Sequence, residues 1–216
     1  MQERRQLAIV GGALLAVLAT PAAADDSARR LTSEVARERV TLHEDPLEVE
    51  ATLSTRKVMR STRGVLRTPY NDNHLQAHID RRTGRTRFEV HQTLQYLGSY
   101  RGFDQVHYET GAWPTAAKVR KIDGNQPACD AIDPQSACYE EVSFVVGEAE
   151  LRRLTSSAQA ATWSFKFKPE RGGEQRASLP RAEIAGLLQA VDAYRVRAKA
   201  APAVALAEPA GAPGAP

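Results

Sequence analysis

His78, Glu89 and His91 are the side chains of this sequence whose types and spacing best fit a metal. Two imidazoles and a carboxylate can hold zinc or copper, with water completing the shell. Whether they meet depends on the element that carries them. On a hairpin over residues 74–97, His78 faces Glu89 across the strands and His91 lies diagonal to His78. On a helix opening at His74, His74 and His78 would instead share one face at a chelating spacing. On a strand those two histidines stand about 13 Å apart, too far to share an ion. The same residues would serve equally as a solvated sheet face on which His and Glu merely pair. His43-Glu44 lacks the second histidine of a zinc-protease helix, and Pro46 would break such a helix.

Other chemistries find less. In Gly98-Ser99-Tyr100-Arg101-Gly102 the serine directly follows the first glycine, so the Gly-x-Ser-x-Gly elbow of hydrolases is not met. Gly172-Gly173 is too short to cradle a phosphate. No residue is therefore assigned a catalytic role, and a hydrolase would need residues that meet only in the fold. Tyr100, Phe103, Tyr108 and Trp113 cluster among arginines and turn residues. Exposed, they would make a sugar- or peptide-binding face; buried, they are core and loop anchors.

Alternation decides between hairpin and helix. Leu75, Ala77 and Ile79 alternate with polar residues, Arg82-Thr83-Gly84-Arg85 supplies a turn, and Phe88, Val90, Leu94 and Tyr96 continue the alternation. A two-residue Thr83-Gly84 turn sets Ile79 against Phe88 and Ala77 against Val90, with Asp80 against Arg87, His78 against Glu89 and Gln76 against His91 on the other face. Apolar residues then meet each other, and so do opposite charges. A second period-two run, Leu47-Val49-Ala51-Leu53, predicts another strand. Shorter strands are expected around 106–108, 117–122 and 141–146, with a helical turn at 148–154. Trp163, Phe165 and Phe167 give the strongest strand signal, and Glu170-Arg171-Gly172-Gly173 predicts a turn after it. A helix is predicted over 181–198: Pro180 suits its start, Glu183 its positive end, and Ile184, Leu187, Leu188, Val191 and Tyr194 form one stripe.

Residues 1–24 read as an export signal. Arg4 and Arg5 precede an apolar run from Leu7 to Leu18, and Pro21-Ala22-Ala23-Ala24 supplies small residues before Asp25. A run of about a dozen residues falls short of the roughly 20 that a membrane span needs. The chain holds 29 Lys and Arg against 26 Asp and Glu; loss of Arg4, Arg5 and Glu3 leaves 27 against 25. That balance argues against nucleic acid or an anionic membrane as partner. Cys129 and Cys138, the two cysteines, lie in a turn-rich segment and in an exported protein are expected to form one disulfide. The expected organisation is a signal peptide (1–24), a tether or short helix (25–45), one β-rich domain (46–199) and an Ala/Pro-rich disordered tail (200–216).

Ile79-Asp80-Arg81-Arg82-Thr83-Gly84, Gln92-Thr93-Leu94-Gln95-Tyr96 with Gly98, Trp163-Ser164-Phe165-Lys166-Phe167 and Ala182–Val191 together resemble small exported proteobacterial proteins of no assigned function. The resemblance spans roughly residues 47–197 and implies a periplasmic address but no active site. The expected fold is α+β: a mostly antiparallel sheet or sandwich with a C-terminal amphipathic helix packed on it. The expected role is non-catalytic, a periplasmic module binding a protein or small ligand, with no cofactor and no membrane embedding. The alternative is a zinc or copper protein built on His78, Glu89 and His91.

Overall fold

A computed structural model describes residues 30–58, 61–63, 68–70, 73–109, 113–122, 137–156 and 160–200. Every strand pair in it is antiparallel. Six strands form the larger sheet: β1 (Thr41–His43), β2 (Glu50–Ser54), β5 (Asn73–Asp80), β6 (Thr86–Leu97), β10 (Ala137–Val146) and β9 (Arg120–Lys121), in that spatial order. A four-stranded sheet runs β12 (Gln175–Pro180), β11 (Thr162–Pro169), β7 (Phe103–Glu109) and β8 (Pro114–Lys118). β3 (Ser61–Arg63) and β4 (Thr68–Tyr70) pair separately. Three helices complete the described chain: α1 (Ser33–Arg39), α2 (Glu148–Ser156) and α3 (Arg181–Ala200). The architecture is thus α+β, with the C-terminal helix packed against β2, β5 and β12.

Aromatic side chains fill the space between the two sheets. Phe144 of β10 meets Tyr108, Trp163, Phe165 and Phe167 of the smaller sheet, with ring centroids 5.4–6.2 Å apart. Such pairs add about 0.5–1.5 kcal/mol each beyond the area they bury. The Trp163-Phe165-Phe167 stripe therefore folds inward as strand β11, and Ser164 and Lys166 point away from it. The α3 stripe is buried as its spacing implies, with Ile184, Leu187 and Val191 fully covered.

Two expectations need correction. The β5–β6 hairpin exists, but its register is slipped by two: Ala77 faces Phe88, Leu75 faces Val90, His78 faces Arg87 and His74 faces His91. Asp80 causes the slip. Its carboxylate accepts from the backbone N–H groups of Arg82 and Thr83, and its carbonyl accepts from Gly84 N–H. Asp80 N–H in turn donates to the Arg85 carbonyl, so the turn spans residues 81–84, longer than two, with Gly84 at φ +71°. A slip of two keeps every side chain on its face, which is why the burial alternation survives it. The second correction concerns Leu47 and Val49, which are 93% and 67% exposed. Asp45 accepts from Leu47 N–H and turns the chain there, so β2 starts only at Glu50.

Candidate metal centre on the outer face of the six-stranded sheet

Period-two alternation sends Leu75, Ala77, Ile79, Phe88 and Val90 into the core and leaves His74, Gln76, His78, Arg87, Glu89 and His91 on the opposite face. That face is not simply solvated. Glu89 is 2% exposed although it belongs to the outward set. Its Oε1 accepts from Arg87 Nη1 and lies 3.0 Å from Arg120 Nη2, while its Oε2 lies 3.5 Å from His91 Nε2. The two guanidinium groups fix the carboxylate by charge-assisted contacts and leave one oxygen turned toward the imidazole.

His78, Glu89 and His91 each offer one ligand atom, and these atoms all lie within 4.8 Å of one another. The slipped register puts Glu89 diagonal to His78 rather than opposite it, and His91 is two residues further along β6. Side-chain reach along the strands closes the group all the same. His78 Nδ1 lies 3.3 Å from Thr52 Oγ1 and 3.8 Å from Glu50 Oε2. A proton on Nδ1 directed at those oxygens leaves Nε2 with its lone pair. Both His78 Nε2 and His91 Nε2 are buried and lack a hydrogen-bond partner among the described residues, His91 Nε2 having only the Glu89 oxygen at 3.5 Å beside it. His74 stacks on His91 at 4.9 Å, with the planes 21° apart, and its Nε2 meets Gln76 Nε2 at 3.1 Å.

Burial is the main reason that all three imidazoles hold protons weakly. It pushes His74 down to about 3 and His91 to about 4, and it lowers His78 as well. Positive neighbours act in the same direction: Arg120 on His91, Arg87 on His78. Neutral imidazoles with a free ring nitrogen are the form that binds metal. Glu89 and His91 also line a cleft of about 480 Å³ with Arg120, Lys121, Ile122 and Ser143.

Other sequence-selected residues do not converge. Phe103 and Tyr108 are core residues, Phe103 between Tyr96 and Phe167 and Tyr108 against Phe144 and Trp163. Tyr100 is half-buried beneath Lys121 Nζ, and Trp113 is 80% exposed. The four therefore make no common exposed face: Val106 and Tyr108 alternate inward along β7, and the register shift at Lys168/Pro169 lets Phe103, five residues before Tyr108, face inward as well. Cys138 is buried, while Cys129 lies outside the described residues. Glu140, a second buried carboxylate, has a structural use. It accepts from Tyr96 Oη and from the N–H groups of Gly102 and Phe103, holding the turn that enters β7.

Sequence reasoning missed the supporting residues, Thr52, Glu50, Arg87 and Arg120. Arg120 arrives from β9, which reaches β6 only through β10, and no local pattern announces that path. Thr52 was readable only once β2 was known to pair with β5.

No protein-family model matches this chain, and no curated protein sequence does either. A solved structure with some similarity is the crystal structure of invasion associated protein B from Bartonella henselae. It shares 8% identity over 73% of this chain and 94% of its own, at a TM-score of 0.40. A likeness that distant carries no argument about function.

Proposed function

We propose that this chain is an exported, non-catalytic binding protein of the bacterial periplasm, and that the outer face of its six-stranded sheet is the binding face. The observation that carries the reading is one arrangement: a carboxylate 2% exposed beside two buried imidazole nitrogens that have no hydrogen-bond partner among the described residues. Buried polar atoms left unpaired each cost about 1–3 kcal/mol. A fold accepts such a cost most readily where a ligand completes the set. Support for export comes from the leader-like residues 1–24. Among the described residues no helix is long and apolar enough to cross a membrane.

Native and denaturing mass spectra of the chain purified from its own periplasm, without a tag, test this reading. The expected result is an added mass under native conditions that disappears on denaturation and is absent from Glu89→Ala. Bare chain in both spectra of the unaltered protein would overturn it.

A further inference from the structure

We infer that His78, Glu89 and His91 form a site for one divalent transition metal, zinc or copper, an assignment that rests on the binding-face reading and names its ligand. Three features converge on it. The ligand atoms already cluster within 4.8 Å, with His91 Nε2 and Glu89 Oε2 at 3.5 Å. Ligand atoms about 2.0–2.2 Å from a tetrahedral ion stand roughly 3.3 Å apart, so one edge is already in place. The widest separation has only about 1.5 Å to close, within reach of a ring rotation.

The second feature is the orientation of the donors. Thr52 and Glu50 face Nδ1 of His78, the arrangement that fixes a ligating imidazole with its other nitrogen aimed at the ion. Arg87 and Arg120 occupy Glu89 Oε1 and leave Oε2 for the metal. The third feature is the donor set. Two imidazoles and one carboxylate, with no thiolate, suit zinc or copper(II) better than the oxygen-seeking calcium or magnesium. The cleft beside Glu89 and His91 leaves room for water or an exogenous group as a further ligand.

The opposing consideration is charge. Arg87 and Arg120 repel a dication, and together they would defeat a site that Glu89 served alone. They do not stand alone. Glu50 faces both His78 and Arg87, and Glu141 acts on His91 with the opposite sign to Arg120. Arg120 is also 63% exposed along its side chain, so it can turn outward into water as the ion enters.

The test is a titration of the chelator-treated, tag-free chain with Zn2+ against a chromophoric competitor. One equivalent per chain is expected, weakened at least a hundredfold in His78→Gln and in His91→Gln, and by 10- to 100-fold in Thr52→Val. Glutamine keeps each position polar and near its original size, and circular dichroism verifies the fold of each variant. Should a histidine variant unfold, Thr52→Val supplies the comparison. Binding far below one equivalent, or affinity unchanged within threefold in the folded variants, would sink the assignment. The two readings fail separately. An organic mass in the native spectrum with no Zn2+ uptake keeps the binding face and overturns the metal; neither mass nor uptake overturns both.

Discussion

Glu183 stands in the first turn of α3, where a carboxylate ordinarily faces water and complements the positive end of the helix. Here it is 1% exposed, with Oε1 2.5 Å from Thr55 Oγ1 and Oε2 without a hydrogen-bond partner among the described residues. Thr55 Oγ1 also accepts from Leu75 N–H at 2.8 Å and lies 3.2 Å from Leu75 O. One hydroxyl proton cannot serve both the Leu75 carbonyl and the carboxylate; a protonated Glu183 supplies the second. Burial pushes the Glu183 carboxyl up to about 8, against a smaller opposing effect of the Thr55 hydroxyl. The native chain therefore holds a proton that the unfolded chain releases once the pH passes its ordinary value of 4.5. Between there and about pH 8 stability falls as pH rises, by up to about 1.4 kcal/mol per pH unit from this group. Glu183→Gln removes the titration. Urea unfolding at pH 5 and pH 8 should show the variant gaining on the parent at the higher pH. An equal difference at both pH values would show that Glu183 is ionised in the fold. The sequence placed Glu183 at the helix start but could not show its burial, because Thr55 lies 128 residues away.

Two helices approach closely where α3 crosses α1. A Cβ added at Gly186 would lie 2.6 Å from both the Ala36 Cβ and the Arg37 backbone nitrogen. Ala36 is the buried residue of α1, so the whole short helix docks on the gap that Gly186 leaves. Gly186→Ala should raise helix propensity by about 1 kcal/mol, yet destabilise the protein. Overpacking typically costs 1–3 kcal/mol, and here the contact includes backbone, which cannot yield. A net loss of stability in thermal unfolding, with α1 amides losing hydrogen-exchange protection first, is the expected outcome; a net gain would show that α1 docks loosely. The hairpin teaches the complementary lesson. Alternation identified β5, β6 and the face that each side chain takes, since the strand period is local. Register was not legible, because it is set by whether Asp80 bonds the turn or pairs across it, and both choices satisfy the pattern equally well. His78, Glu89 and His91 were readable as one group for the same reason: a slip of two preserves the face and changes only which neighbours stand directly opposite.

On the scale of the whole molecule, the titratable side chains and the apolar packing occupy opposite sides of one sheet. The inner face of β5, β6 and β10 carries the large apolar side chains, and the outer face carries the histidines and their charged neighbours. Strands β5 and β6 are thus held from behind by α3 and by the aromatic layer between the sheets. Side chains set on such a support need little reorganisation to receive a ligand. The remaining whole-chain question is the compartment, where leader and cysteines make a joint prediction. If residues 1–24 direct export, the mature chain starts at Asp25 and reaches an environment where Cys129 and Cys138 oxidise. Closing so small a loop stabilises by about 2.7 kcal/mol on the chain-entropy model. Protein from the periplasm should therefore show an Asp25 N-terminus, no thiol titre when denatured, and two thiols after reduction. The same chain made without residues 1–24 in a reducing cytoplasm should be less stable by a free energy of that size in urea unfolding. Reactive thiols in the periplasmic protein would separate the two halves of the argument: export would stand on the N-terminus alone, and the cysteines would be free for another use.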